Sequence, residues 1–361
     1  MALECLSRPL GLVGVIFALF QAGCGSESAS TDESSIIGQD LEGDTRIIRV
    51  PLHADLDEFI RGVANQDGPL QIELLPGEYH VRSEIQLGTA VTIIGAGPNL
   101  TRLVAAAELP ALLTNAGGER GNRGIRVIGL MLDCSNQSEF GADFIRVSEV
   151  RISDVEVTGC ISAGIRVSGR GQITRGGIIS NVVASNNNGD GLYFMWAIRN
   201  IQYSNISSFG NGGRGIIFDH SEFQSTNISA CDNAGNGIYL RNFFGANLDG
   251  LYSCRNGGHG IFIEGMVAST GAGWVAQSNS RRTHGEFDEI HFAGGSELSY
   301  GDTRESAVIG VAVGSFWEGY GEPTARCGIF VGESVRVNLL GSSYGPTLDH
   351  RDQLNCGDPA P

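Results

Sequence analysis

The sequence predicts an all-β protein wound into a single-stranded, right-handed parallel β-helix with about 22–24 residues per coil. Composition supports this fold class, because 53 of the 361 residues are glycine and only ten are proline. Frequent glycine among β-branched residues, without a collagen-like triplet period, indicates a chain that turns often. The decisive observation is an internal repeat that contains short strand patterns and no 3.6-residue periodicity.

Four central segments share one pattern around a glycine: Gly191, Gly215, Gly237 and Gly260 are 24, 22 and 23 residues apart. An asparagine precedes each glycine by four residues, and an apolar–variable–apolar strand follows it. Alternation along a strand directs one residue inward and the next outward. The predicted inward residues are Leu192, Ile216, Ile238 and Ile261.

A second column contains Asn181, Asn205 and Asn227. Asparagine accepts left-handed backbone geometry, and its amide can bond to the asparagine one coil away. We therefore expect stacked asparagines at the turns.

Weaker repeats extend the predicted β-helix to residues 45–345, followed by a C-terminal tail at 346–361. Residues 144–148 and 164–168 resemble each other twenty residues apart, and residues 125–133 form an earlier coil. Residues 328–331 restore the strand pattern near the C-terminus, whereas the less regular stretch 267–325 predicts coils with long loops.

The N-terminus indicates export. Residues 1–24 contain an apolar run that is too short to span a bilayer, and this run ends in Ala22-Gly23-Cys24. The ending resembles a bacterial lipobox, which predicts lipidation of Cys24, with ordinary secretory cleavage as the alternative. Residues 25–44 are polar and acidic and predict a flexible tether. The expected location is extracytoplasmic, either as a cell-envelope lipoprotein or secreted, with membrane contact only through the lipid.

Charge excludes several kinds of function. The net charge of −16 disfavours a nucleic-acid binder, which needs a basic face. All 24 basic residues are arginine, so a lysine base or Schiff base is unavailable. We expect a monomer that requires no cofactor, and a local strip of arginines would suit an acidic ligand.

Six further cysteines suggest disulfides in an exported chain. Cys231 and Cys254 occupy the same coil position 23 residues apart, and Cys134 and Cys160 are 26 residues apart. Strands on neighbouring coils lie about 4.8 Å apart, within the Cα range of a disulfide. These two pairs are the predicted bridges, with a stack of free buried thiols as the alternative. Cys327 and Cys356 form a weaker third prediction that would attach the C-terminal tail.

Several segments resemble the first coil of the pectin-lyase-like superfamily. They are Leu75-Pro76-Gly77-Glu78-Tyr79-His80, Ile85-Gln86-Leu87, and Val91 to Gly97 with Thr101. Together with the repeats, the resemblance covers about residues 45–345. It implies a right-handed parallel β-helix, and most characterised members act on polysaccharides in a groove outside one stacked sheet. Lyases, hydrolases, epimerases and non-catalytic proteins share this fold, so activity does not follow from it.

Aligning the coils places rings, arginines and acids in neighbouring outward columns. Aromatic rings stack on pyranose faces, and arginine pairs with carboxylates through two hydrogen bonds. The alternative is a solvated sheet face with ordinary cross-coil pairs such as Asp219 with Arg241. The predicted substrate-binding residues are Arg166, Asp190, Tyr193, Trp196, Arg214 and Glu264.

Phe218-Asp219-His220, with His259 two coils later, is similar to the arrangement in alginate C5-epimerases. The resemblance implies catalytic roles for Asp219, His220 and His259, although the proline and initial tyrosine of that family's motif are absent. The similarity also implies an acidic polysaccharide as the substrate, because epimerases and lyases both begin by removing the C5 proton of a uronate. They need a cation at its carboxylate and a histidine or tyrosine as base and acid. Tyr239 is a candidate for the base or acid, and Arg241 and Arg214 are candidates for the cation.

Two alternatives remain open. Gly258-His259-Gly260 resembles a motif of polygalacturonase-type hydrolases, without their paired aspartates one coil earlier. Asp190 with Asp219, or Asp219 with Glu264, would have to supply the two carboxylates of a hydrolase. Ca²⁺ is possible as a bridge between a uronate and Asp190, Asp219 or Glu264. The other alternative is a surface adhesin that binds glycans without turnover.

Overall fold

The computed structural model describes residues 39–42, 45–50, 56, 68–117, 120–170, 174–282, 286–293, 306–313, 329–331, 336–340 and 348–349. The predicted signal segment, Cys24 and most of the predicted tether lie outside these residues, as do Cys327 and Cys356. Within the described part, no helix is long and apolar enough to cross a membrane.

The strands form a right-handed parallel β-helix, which confirms the predicted fold class. In chain order the strands are β1 (Gln39–Glu42), β2 (Thr45–Val50), β3 (Leu70–Leu74), β4 (Gly77–Val81), β5 (Ile85–Leu87), β6 (Val91–Ile94), β7 (Thr101–Ala105), β8 (Leu109–Asn115), β9 (Asn122–Arg123), β10 (Arg126–Asp133), β11 (Ser138–Ile145), β12 (Val147–Ser148), β13 (Val150–Thr158), β14 (Ala163–Ser168), β15 (Thr174–Ser185), β16 (Asp190–Phe209), β17 (Ile216–Cys231), β18 (Ile238–Phe244), β19 (Asn247–Cys254), β20 (Ile261–Val267), β21 (Thr270–Gln277), β22 (Ile290–Ala293), β23 (Ser306–Val313), β24 (Ile329–Val331), β25 (Arg336–Leu340) and β26 (Leu348–Asp349).

The strand pairing follows the repeat seen in the sequence. Leu192 pairs with Ile216, Ile216 with Ile238 and Ile238 with Ile261, all in parallel register. The next coil is longer, because Ile261 pairs with Ile290 of β22. Described antiparallel pairs are β1 with β2 and β25 with β26, at the two ends of the described chain.

The core is a column of inward side chains stacked along the helix axis. The predicted inward residues are completely buried. Beside them lies a stack of rings whose neighbouring centroids are 4.5–5.4 Å apart. This stack consists of Phe194, Tyr203, Phe218 and Phe223. Burying such large rings on successive coils stabilises the solenoid.

The outer asparagine column is confirmed. Asn181, Asn205 and Asn227 have φ of 53°, 53° and 56°, in the left-handed region. The Asn205 amide donates to the Oδ1 atom of Asn181 at 3.0 Å, and Asn227 donates to Asn205 at 3.2 Å. These bonds lie on the exposed side of a turn.

The asparagines that precede the repeat glycines form a second, buried column. Each Nδ2 atom donates to the Oδ1 atom of the next coil at 2.9–3.0 Å. The column runs through Asn187, Asn211, Asn233, Asn256 and Asn279, and the amide of Asn279 donates to the carboxylate of Glu289. We call this column the buried asparagine ladder.

One predicted alignment is wrong. The similarity between residues 144–148 and 164–168 predicts that Arg146 pairs with Arg166. Instead, Asp143 pairs with Arg166, and Phe144 pairs with Val167. Inward packing of Phe144, which is completely buried, sets this register. Arg146 has a φ of 57° and therefore lies at a turn, outside the column of Arg166.

Both predicted disulfides between neighbouring coils are present. Cys134 and Cys160 have Cα atoms 4.8 Å apart, and Cys231 and Cys254 have Cα atoms 4.6 Å apart. Cys231 and Cys254 are also in register between β17 and β19. Each bridge therefore links strands that already share ladder hydrogen bonds.

Replacing both Cys231 and Cys254 with alanine is expected to lower the free energy of unfolding by about 2 kcal/mol. The bridge closes a short loop in the unfolded chain, whereas the folded chain already holds these strands together. Urea unfolding under oxidising conditions would measure the effect. Adding a reductant to the variant provides the control for the Cys134–Cys160 bridge, and an unchanged unfolding curve for the variant would contradict the expected contribution.

Candidate functional site

The outward side of the strands β16, β17, β18, β20 and β22 carries three parallel columns of side chains. The first column precedes each inward residue by two positions and contains Asp190, Arg214, Asn236, His259 and Asp288. The second column follows the inward residue and contains Arg166, Tyr193, Ile217, Tyr239, Phe262 and His291. The third column contains Met195, Asp219, Arg241 and Glu264. Parallel stacking brings residues of one column within about 4.8 Å per coil.

Arginines and carboxylates alternate across these columns. The Arg214 guanidinium donates to both carboxylate oxygens of Asp190, at 3.3 and 3.1 Å, and the main-chain N–H of Arg214 donates to Asp190 at 2.7 Å. Its guanidinium carbon lies 5.4 Å from the ring centroid of Tyr239. Arg241 stands between Asp219 and Glu264 in register, with its Nε atom 3.5 Å from Glu264. We call these residues, together with Tyr193, the arginine–acid cluster.

The two tyrosines of this cluster, Tyr193 and Tyr239, both have a raised pKa. The Tyr239 hydroxyl donates to Glu264 at 2.6 Å. Burial raises the pKa of Tyr239, and the hydrogen bond to Glu264 raises it further. Burial also raises the pKa of Tyr193, and the negative charge of Asp219 adds to this effect. Both phenols therefore keep their protons at neutral pH.

Asp219 is buried, although the sequence alignment placed it on an accessible surface. Asp219 is 4% exposed, and Ile217, two residues earlier on the same strand, is 1% exposed. The negative charge of Asp219 raises the pKa of both Tyr193 and Tyr239. A position on the outward side of a strand thus does not by itself make a side chain accessible.

Arg166 lies at one end of the cluster, one coil from Tyr193 in the second column. It is three coil steps, about 14 Å, from Tyr239 along that column. Its guanidinium donates to both oxygens of Asp143, at 2.8 and 2.6 Å, and lies 4.0 Å from the ring centroid of Phe140. Trp196 and His220 belong to β16 and β17, but their side chains lie outside the described part of the structure.

A second cluster, which we call the histidine cluster, consists of His259, Asp288 and His291. The Asp288 side chain is fully buried, and one of its carboxylate oxygens lies 2.6 Å from Nδ1 of His291. The main-chain N–H of Asp288 donates to Nδ1 of His259 at 2.9 Å. The two imidazole centroids are 4.5 Å apart. Their side chains remain 12% and 15% exposed.

Aromatic rings connect the two clusters. Tyr239 and Phe262 have centroids 5.3 Å apart, and Phe262 lies 5.0 Å from each of the two histidine rings. The rings thus form a continuous row along the helix axis, from the arginine–acid cluster to the histidine cluster.

Of the predicted set Asp219, His220 and His259, the described side chains are those of Asp219 and His259, and these two are not brought together. Asp219 is two coils before Glu264 in the third column, whereas His259 precedes Glu264 by five residues in the first column. At about 3.3 Å per strand residue, Asp219 and His259 are separated by on the order of 15 Å along the strand direction. The histidine cluster is therefore a separate centre.

The sequence reasoning missed Asp288 and His291. His291 follows the inward residue Ile290 as Tyr239 follows Ile238, but the coil that ends there is 29 residues long rather than 22–24. The sequence does contain a pattern that indicates this position. In the segment Asp288-Glu289-Ile290-His291-Phe292, the apolar–variable–apolar strand pattern returns within the irregular stretch.

The histidine cluster is the one group of possible metal ligands found among the described residues. Its three ligand atoms lie within 4.8 Å of one another. Two imidazoles and a carboxylate suit Zn²⁺ or a similar ion. However, Nδ1 of His259 accepts the Asp288 N–H, and that lone pair is then unavailable to a metal.

In the arginine–acid cluster, Asp190 and Glu264 are paired with arginines. Calcium binding there remains a prediction.

Comparison with known proteins identifies the fold. No family model and no curated protein matches the chain. Among solved structures, the chain is similar to the A-module of mannuronan C-5 epimerase AlgE4 from Azotobacter vinelandii, with 16% identity and a TM-score of 0.56 over 78% of this chain and 87% of that one. The corresponding AlgE6 module has 15% identity and a TM-score of 0.52 over 79% of this chain and 88% of that one.

Tailspike protein 2 of the Escherichia coli O157:H7 bacteriophage CAB120 is also similar, with 16% identity and a TM-score of 0.58. That match covers 74% of this chain but only 38% of the tailspike, so the chain corresponds to a part of that protein. At these identities the comparisons define the class of protein as a right-handed parallel β-helix.

Proposed function

We propose that the protein acts on an acidic, uronate-containing polysaccharide by removing the C5 proton, as a lyase or a C5-epimerase. The observation that carries the proposal is the row of rings that runs along the helix axis between the arginine–acid and histidine clusters. A polysaccharide that crosses successive coils meets a ring or a charged group at each step of about 4.8 Å. The fold shared with two mannuronan C-5 epimerase modules supports this proposal.

Arg214 and Arg241 are the proposed partners of the substrate carboxylates. Asp190 and Glu264 hold the two guanidinium groups in place, which reduces the entropy lost when a ligand binds. Arg214 keeps 37% of its side chain exposed, as does Arg241. The planar guanidinium fork matches a carboxylate. Asp219 lies one coil before Arg241 in the same column, and its negative charge is proposed to help orient the guanidinium.

Tyr239 is proposed to present its ring to the sugar and its hydroxyl as a donor. Because the phenol stays protonated, it cannot remove the C5 proton before substrate binds. Asp190, Tyr193 and Glu264 keep their proposed roles in binding, as do Trp196 and Arg166 for more distant sugars. His220 keeps its proposed catalytic role. His259 belongs to the histidine cluster, which the row of rings joins to the arginine–acid cluster.

The chain is further proposed to work outside the cytoplasm, attached through a lipid on Cys24 or secreted. Two disulfides and a signal-like N-terminal segment support this location. Labelling of cells with a palmitate analogue would test lipidation, with Cys24→Ser as the control. Label retained by the Cys24→Ser variant would contradict it.

The activity is tested by incubating the full chain with a panel of uronans in D2O. A lyase produces the ultraviolet absorbance of a 4,5-unsaturated uronate, whereas an epimerase introduces deuterium at C5 without cleavage. If no uronan shows either change, the proposed chemistry is wrong. Glycan binding without turnover would instead identify an adhesin.

Replacing Arg214 with glutamine is expected to lower kcat/KM on the preferred uronan by about tenfold to a hundredfold, mainly through KM. The reason is the loss of a charge-assisted pair with a substrate carboxylate. The matched control is Arg123→Gln, because Arg123 is also paired with an acid, Glu149, but lies in β9 outside the three columns. Equal effects of the two substitutions would contradict a binding role for Arg214.

A glycoside hydrolase is the second candidate. Asp219 and Glu264 lie in one column two coils apart, so their Cα atoms are separated by about 9.6 Å. Inverting hydrolases hold two carboxyl groups roughly 6.5–9.5 Å apart, so the side chains of Asp219 and Glu264 would have to lean slightly toward each other. New reducing ends without the unsaturated chromophore would favour this candidate over the lyase.

A further inference from the structure

The histidine cluster contains an asymmetry that bears on the first step of the proposed reaction. One residue, Asp288, contacts both imidazoles, but through groups of opposite character. Its main-chain N–H donates to Nδ1 of His259 at 2.9 Å, whereas its carboxylate oxygen lies 2.6 Å from Nδ1 of His291 and 3.7 Å from Nδ1 of His259, beyond hydrogen-bond distance. A main-chain N–H only donates a hydrogen bond, and a carboxylate only accepts one.

The first contact determines the protonation of His259. Because Nδ1 accepts a hydrogen bond, it carries the lone pair, and the ring proton of the neutral imidazole resides on Nε2. Forming an imidazolium would place a second proton on Nδ1, opposite the Asp288 N–H. His259 is thus held as a neutral donor.

The second contact has the reverse effect on His291. The buried carboxylate of Asp288 accepts the proton on Nδ1 of His291 at 2.6 Å, which leaves the lone pair of the neutral ring on Nε2. A carboxylate in this position also stabilises the imidazolium that forms when Nε2 takes up a proton. His291 is thus arranged as a base.

The surroundings favour this division of roles. Phe262 stacks against both imidazoles, and Phe287 contacts His259 edge-on with centroids 5.1 Å apart. These rings limit the orientations of the imidazoles and exclude water from one side. The partial exposure of both histidines leaves a side that faces the row of rings.

We propose that His291 is the base that removes the C5 proton, that His259 donates its Nε2 proton in a hydrogen bond to the substrate carboxylate, and that Asp288 is the positioning residue for both. This inference rests on the proposed function and names the centre at which the uronate reacts. The arginine–acid cluster then holds neighbouring sugars of the same chain.

The chemical step balances as follows. Nε2 of His291 forms a bond to the C5 hydrogen, and the electron pair of the C5–H bond moves into a C5–C6 double bond, which places a second negative charge on the carboxylate oxygens. The Nε2–H group of His259 stabilises this charge without transferring its proton. In a lyase, the pair then forms the C4–C5 double bond while the C4–O4 bond breaks, and O4 takes the proton from His291. In an epimerase, C5 takes a proton from water on the other face, and the proton on His291 passes to solvent, where it neutralises the hydroxide that remains.

The main test measures deuterium exchange at C5 of the preferred uronan in D2O. His291→Gln is expected to lower the rate at least a hundredfold, whereas His80→Ala, a substitution of an exposed histidine in β4, leaves it unchanged. A rate within about twofold of the unaltered chain for His291→Gln would overturn the assignment while leaving the proposed function intact. Failure of the unaltered chain on every uronan would instead reject the proposed function and the base role together.

Nitrogen NMR of the imidazole rings tests the protonation states without any substrate. The expected spectrum of the neutral rings shows His259 with its proton on Nε2 and His291 with its proton on Nδ1. Asp288→Asn should weaken the preference of His291 for this form and lower kcat more than it raises KM. The opposite tautomers in the unaltered chain would overturn the proposal.

Titration with Co²⁺ separates this proposal from a metal centre. Visible absorbance from an ion bound by both imidazoles, present in the unaltered chain and lost in His291→Gln, would overturn it, because a metal on these nitrogens occupies the lone pairs that define the two roles. Unchanged spectra support the acid–base assignment.

Discussion

Replacing Asn233 with alanine is expected to lower the free energy of unfolding by about 4 kcal/mol. Asn233 is 2% exposed and stands in the middle of the buried asparagine ladder. Its Nδ2 atom donates to Asn256 at 3.0 Å and to the Ser208 carbonyl at 3.1 Å, and its Oδ1 atom accepts the side-chain amide of Asn211 at 2.9 Å. The main-chain N–H of Asn211 also donates to it.

Alanine removes these bonds and leaves buried donors and acceptors on both neighbouring coils without a partner. Each such group costs about 1–3 kcal/mol. The repeat glycine leaves no room for a compensating shift, because a Cβ atom on Gly215 would lie 2.6 Å from Nδ2 of Asn233 and 2.6 Å from the Gly237 carbonyl oxygen. The glycine and the asparagine of the repeat are therefore a matched pair.

Urea unfolding followed by circular dichroism measures the effect of Asn233→Ala. The control is Asn205→Gly, which removes the same kind of amide–amide bond from the exposed column while keeping the left-handed backbone. A loss below about 1 kcal/mol is expected there, because water replaces the lost bonds. Similar losses in the two variants would show that burial of the ladder is not what stabilises it.

The second large effect is a dependence of stability on pH caused by Glu289. This residue is 3% exposed, accepts the main-chain N–H of Asn279 at 3.1 Å and ends the buried ladder. Burial raises the pKa of Glu289 from 4.5 to about 7, although its hydrogen bonds from Asn279 act in the opposite direction.

The direction of the effect follows from the raised pKa. Between about pH 4.5 and pH 7 the folded chain keeps the proton that the unfolded chain releases. The contribution to stability is complete below pH 4.5 and is lost as the pH rises through about 7. The expected loss is roughly 3 kcal/mol, since one pKa unit corresponds to about 1.4 kcal/mol.

Unfolding free energies measured across this pH range would test the prediction. Glu289→Gln should remove most of the slope, whereas Glu108→Gln, at an exposed position, should leave it unchanged. A Glu289→Gln variant with the same pH profile as the unaltered chain would show that other groups dominate.

Much of the fold was predictable because a solenoid repeats one short pattern. Each coil buries its inward residues against the next, so a period of 22–24 residues identifies the strands, the neighbours and the cysteine pairs at once. The outer column at Asn205 and the bridge between Cys231 and Cys254 follow from the same spacing. The alignment failed at Phe144, where a similarity between short segments competed with the packing of a buried ring.

The sequence by itself thus determined the β-helix, its coil register from Leu192 to Ile261 and two disulfides. Only the tertiary structure decided that Asp219 is buried, that Arg166 pairs with Asp143, and that Asp288 and His291 join His259. The physical reason is that stacking depends on local alternation, which a period records. Side-chain contacts between columns depend on loop length, rotamers and competing hydrogen bonds. The coil that ends at Ile290 is 29 residues long, so the 22–24-residue period does not predict which side chains meet there.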